Sequence, residues 1–143
     1  MLKNELEVKS VKGNENNIAT LALRKFPVTI RGKLMVKIYI AGKMRGLKMD
    51  EIEENFRRAE SSAMKANMYP ISPYYFYREY GRKIPDENGM KVCKILIDSC
   101  DAVFFMKNWE DSKGCHEEME YAKKQGKLIT IEGKMPSKGK EIQ

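Results

Sequence analysis

The sequence has one histidine, three cysteines and no apolar stretch near the roughly 20 residues a helix needs to cross a bilayer. Each scarcity closes a class of function. A membrane-spanning helix is excluded. His116 has no histidine companion, and Cys93, Cys100 and Cys115 do not stand at metal-ligand spacing, so neither a metal nor another cofactor is expected. An odd cysteine count, with no apolar signal segment ahead of it, points to a reducing compartment, and a cytoplasmic protein is expected.

Charge of one sign is also scarce where it would matter. The net charge is +7, yet residues 35–132 hold seventeen Lys/Arg against sixteen Asp/Glu, while residues 1–34 contribute +4 and residues 133–143 contribute +2. A nearly neutral central region lacks the one-sided basic field of a duplex-binding surface, so nucleic acid is not the expected partner. Basic tails touching nucleic acid remain the weakest of three readings.

What is present is an alternation of strand-like and helix-like segments. Met35 to Ala41 is a β-branched and aromatic run ending at Gly42, as a central strand would. After the loop Gly42 to Leu47, the apolar residues Met49, Ile52, Phe56, Ala59 and Ala63 recur at helical spacing behind acids in the opening turns. Tyr69 to Ser72 predicts a short strand closed by Pro73, and Tyr74 to Tyr80 reads as a loop or irregular turn. Met90, Cys93, Leu96, Ile97 and Cys100 form a second helical stripe, and Ala102 to Met106 suits a strand buried on both faces. A third helix follows Ser112 to Gly114 and ends near Gln125 with Gly126 as cap, and Lys127 to Glu132 supplies the last strand.

This order predicts a single α/β domain over 35–132, a flavodoxin- or Rossmann-like parallel sheet flanked by helices. Residues 1–34 are expected to form a hairpin or a flexible extension, and residues 133–143 a flexible tail. A ligand is expected beyond the carboxyl ends of the strands, where the loops after the first and third long strands converge.

Two segments there carry chemistry. In Gly42-Lys43-Met44-Arg45-Gly46 the glycines allow close backbone approach, Arg45 offers a fork of donors for phosphate and Lys43 a second charge. An ordinary strand-to-helix turn with solvated cations explains those residue types about equally well. In Ser112-Lys113-Gly114-Cys115-His116-Glu117-Glu118 a hydroxyl precedes a glycine turn and carboxylates follow in the opening helical turns. A carboxylate near a helix N-terminus is expected to stay ionised and able to attack an anomeric carbon, although most glutamates on a Lys-rich helix are simply solvated. Cys93 and Cys100 are expected as packed core thiols and His116 on the surface. Trp109, Tyr74, Tyr75, Tyr77 and Tyr80 suit either base stacking or a subunit contact.

The strings KIYIAGKMRG, ISP at Ile71 to Pro73, CDAVFFMKNWEDSKG and EEMEYA occur in an order that resembles the nucleoside 2-deoxyribosyltransferase superfamily, over about residues 36 to 132. The chain looks closest to a branch of phage-type members without assigned activity, with a YISGPMTG-like opening and a CDAI…GWE.S.GA…E block. It is also similar to the deoxynucleoside 5′-monophosphate N-hydrolases. The resemblance implies that Glu118 is the nucleophile, with Glu117 the lesser candidate. It also implies that Ser112, Gly42, Arg45 and Gly46 face a 5′-phosphate, with Lys43 replacing a serine or proline and Gly114 in the glycine turn. Further, it implies a homo-oligomer in which a neighbour completes the cleft.

One position departs from that pattern: the superfamily's catalytic aspartate stands eight residues before Asp101, which here is Cys93. Asp98 is off-register on the same helix, and Asp101 at a strand's start is expected to be structural. Two main readings therefore stand. One is an enzyme that cleaves N-glycosidic bonds, or transfers a deoxyribosyl group, on a nucleoside or nucleotide. The other is a catalytically silent protein that sequesters a nucleotide.

Overall fold

The computed structural model describes residues 29–30 and 33–134, with side chains from Met35 onward. The expectations for residues 1–28 and for the tail from 135 lie outside the described residues. At the N-terminal edge, β1 (Thr29–Ile30) and β2 (Lys33–Leu34) pair antiparallel.

β3 (Val36–Ala41) is the central strand, and its alternation builds both halves of the core. Val36, Ile38 and Ile40 point into one apolar cluster and Tyr39 and Ala41 into the other, and all five are essentially without solvent exposure. Each large side chain so buried contributes about 1.5–3 kcal/mol of transfer free energy. β4 (Met68–Ile71), β5 (Ala102–Phe105) and β6 (Leu128–Ile131) complete a parallel sheet of order β4-β3-β5-β6. The strand at β4 begins one residue earlier than the sequence predicts. Pro70 is tolerated because β4 is an edge, where a missing N–H removes no ladder bond.

Helices cover both faces. α1 (Met49–Lys65) buries Ile52, Phe56, Ala59 and Ala63 against the first cluster, as its spacing predicts. α2 (Tyr74–Tyr80) corrects the expected loop. Its aromatic sequence is a weak helix former, but Tyr74 is buried with its ring stacked 6.0 Å from that of Phe56, and Arg78 lies over the rings of Tyr74 and Tyr75. Packing therefore overrides propensity. On the other face, α3 (Asp86–Asp98) buries Cys93 and Ile97, and α4 (Lys113–Lys124) buries Cys115, Glu118, Met119 and Ala122. A short 3-10 turn, Lys107–Asp111, joins β5 to α4.

The fold is thus a Rossmann-like α/β domain, and its topology fixes where a ligand fits. The chain leaves β3 for β4 on one side and returns through α2 and α3 to β5 on the other. The loops beyond β3 and β5 diverge from this switch point and leave a crevice between them.

Candidate active site

A cleft of about 840 Å³ occupies that crevice, within the range of small-molecule sites. Its walls are the loop after β3, the aromatic helix α2, the amino-terminal half of α3 and the first two turns of α4. The loop approaches β5 so closely that a Cβ on Gly42 would stand 2.6 Å from Cε of Met106, which is why glycine sits there. The Lys43 N–H donates to Oδ1 of Asn108 at 3.1 Å, tying the loop to the 3-10 turn. Gly46 does not reach the cleft: at φ 85° it turns the chain into α1, so its role is conformational rather than ligand-facing. Arg45 does line the cleft, with its guanidinium paired to Asp86 at the start of α3 and 6.0 Å above the ring of Tyr77.

The opposite wall begins at Ser112, the N-cap of α4, whose Oγ accepts the Cys115 N–H at 3.1 Å. The amides of Lys113 and Gly114 in the first turn have no intrahelical acceptor, and both residues line the cleft. At Gly114 a Cβ would meet only ordinary contacts, so nothing steric demands glycine. Lys43 and Lys113 put one cation on each wall.

Glu118 lies deeper, on the inward face of α4, and is 4 % exposed. The Tyr39 hydroxyl donates to its Oε2 at 2.5 Å, and the thiols of Cys93 and Cys115 are its other polar neighbours. Burial pushes its carboxyl up to about 7, although these three neighbours pull it back. The expectation that it stays ionised by virtue of the helix N-terminus is therefore corrected. Glu118 sits in the second turn, where the dipole has faded and desolvation dominates.

Cys93 projects from α3 to the same place. Burial, then the charge of Glu118, push its thiol up to about 12, so it is a protonated thiol at neutral pH. It is a core thiol, as expected, but one that also forms part of the cleft wall. Cys100 is buried in the same apolar cluster without lining the cleft, and all three cysteines are free. Glu117 lies on the exposed part of the wall, paired with Lys94 at 3.0 Å, which leaves Glu118 as the buried carboxylate of the pair.

Other candidates take structural places. Asp101 accepts the Lys37 N–H at 3.0 Å, bracing the strand start, and Asp98 accepts the Tyr121 hydroxyl at 2.8 Å away from the cleft. His116 is exposed, near the backbone oxygen of Glu110 at 2.9 Å and 4.9 Å from the Trp109 ring. The tyrosines divide: Tyr74 belongs to the core, Tyr77 to the cleft, and Tyr75 and Tyr80 to the surface.

The sequence reading missed Tyr39, Asn108 and Asp86, and named Cys115 only as part of the Ser112 to Glu118 segment. Only Tyr39 left a signal, as a phenol in an otherwise aliphatic central strand, since a buried hydroxyl requires a partner. Among the described residues no group of three metal-ligating side chains converges. A family model described as a domain of unknown function (DUF4406) matches residues 36–131. No curated protein matches the chain.

Proposed function

The chain belongs to the family described as a domain of unknown function (DUF4406), and we propose, on the geometry of its cleft, that it cleaves or transfers N-glycosidic bonds of nucleosides or nucleotides through Glu118. The observation that carries this reading is a carboxylate without solvent, steadied by a buried phenol, on the floor of a nucleotide-sized cleft. Desolvation makes the ionised form of Glu118 a stronger nucleophile, and the Tyr39 hydroxyl fixes its attacking direction. Glu118 forms an ester with the anomeric carbon, and the base leaves with the electrons of the C–N bond. Water, or a second base, then displaces Glu118, and water's spare proton goes to solvent.

A phosphate on the sugar fits between the two walls. Lys43 and Arg45 face it from one side, and the Ser112 hydroxyl with the free amides of Lys113 and Gly114 from the other. Arg45 has to exchange Asp86 for the phosphate. That exposed pair is worth at most about 1 kcal/mol, so a dianion displaces it. The resemblance to the nucleoside 2-deoxyribosyltransferase superfamily supports the same assignment, and self-association through the exposed Tyr75 and Tyr80 goes with it.

Incubation with a panel of deoxynucleoside monophosphates, following released base, tests the proposal. Release that disappears in Glu118→Ala, with binding retained, is the expected result. A second reading, a silent nucleotide-sequestering protein, is favoured by the protonated Cys93 thiol beside Glu118. Tight binding without release, unchanged in Cys93→Asp, would establish that reading and remove the first.

A further inference from the structure

Departure of a neutral base from a sugar leaves negative charge on nitrogen, and enzymes usually meet it with a positioned acid. The floor of this cleft has none. The side chains beside Glu118 are Tyr39, Cys93 and Cys115, a phenol and two thiols from β3, α3 and α4. Burial holds all three uncharged, with the thiol of Cys93 pushed up to about 12. Of the other carboxylates of the wall, Asp86 pairs with Arg45 and Glu117 with Lys94, while Glu87 and Asp111 are solvent-exposed and none of the four is among the groups hydrogen-bonded to Glu118 on the floor. Asp98, on the same helix as Cys93, lies outside the cleft and accepts from Tyr121.

We propose that the cleft acts on nucleotides whose base is already cationic, a pyridinium or an N-alkylated purinium, and so departs as a neutral molecule with no proton from the protein. This rests on Glu118 being the nucleophile. The balance closes without an acid: the Glu118 carboxylate bonds to the anomeric carbon, and the C–N electron pair neutralises the departing base. Water then displaces Glu118, giving the free sugar phosphate and one proton to solvent. The aromatic side chains of α2 suit such a base. Phe76 and Tyr77 line the cleft, and the Tyr77 face already holds a cation, the Arg45 guanidinium at 6.0 Å.

The test pairs substrates that differ only in base charge: 7-methylguanosine 5′-monophosphate against guanosine 5′-monophosphate, the corresponding deoxynucleotides, and nicotinamide mononucleotide. Rates of base release are corrected for the uncatalysed reaction. A missing acid is worth about 10²–10⁴-fold, so kcat/KM is expected to favour the cationic member by at least about a hundredfold. In Cys93→Asp, which supplies a carboxyl beside Glu118, that ratio narrows at least tenfold through a gain on the neutral substrate. If the variant fails to fold, the wild-type ratio decides alone. Neutral and cationic members cleaved within tenfold of each other, both abolished in Glu118→Gln, would overturn the substrate assignment and leave the nucleophile standing. No release from any substrate, with wild type and Glu118→Gln alike, would overturn the nucleophile itself.

Discussion

A carboxyl held near 7 by burial makes Glu118 a source of pH dependence in stability as well as in chemistry. The groups facing it are Tyr39 from β3, Cys93 from α3, and Cys115 and Glu117 from α4, and none carries a positive charge. Between 4.5, its ordinary value, and about 7 the folded chain keeps a proton that the unfolded chain has lost. Its contribution is therefore full below the lower value and fades as pH rises through the upper one. The loss is on the order of 3 kcal/mol, from about 1.4 kcal/mol per pK unit. Urea unfolding at pH 5 and pH 8 is expected to show this decline in the wild type and not in Glu118→Gln, which is the more stable of the two at pH 8. On the proposed mechanism, base release rises over the same interval, because only an ionised carboxylate can attack an anomeric carbon. At Gly42 the cost is steric. Gly42→Ala pushes on the buried but flexible end of Met106, and a loss of about 1 kcal/mol in unfolding free energy is expected.

At the scale of elements, the start of α4 combines two duties in Ser112: it caps the helix, and its hydroxyl faces the cleft. Two substitutions separate them. Ser112→Ala removes the cap and is expected to cost about 1 kcal/mol in thermal or urea unfolding. Ser112→Asp keeps a good cap, so stability stays near wild type, while its charge repels a phosphate and deoxynucleoside monophosphate affinity drops by tenfold or more in calorimetric titration. Equal losses of affinity in the two variants would mean that the hydroxyl matters only through the helix. Elements also differ in how legible they were. α1 and α4 show their buried faces directly as helical spacing, because one side of each meets the sheet. α2 could not be read that way. Its helicity depends on Phe56 and Arg78, residues that local sequence does not bring to Tyr74.

For the molecule as a whole, β3 joins two cores that would otherwise be separate, so its side chains should be the least tolerant of truncation. Ile38→Ala, at a position with 1 % exposure, is expected to cost about 2–5 kcal/mol in denaturant unfolding. Arg45, Ser112 and Glu118 were implied by the family resemblance, and all three line the cleft; the parallel sheet and a ligand crevice beyond the carboxyl ends of β3 and β5 follow from the βα alternation. The sequence by itself determined these features, because hydrophobic period and turn chemistry are local properties that survive without the fold. The charge state of Glu118, the partnership with Tyr39, the retention of Arg45 by Asp86 and the neutral thiol of Cys93 were decided only by tertiary structure. Each of these depends on how much water is excluded and on which distant side chain replaces it, and both are set by packing across the sheet.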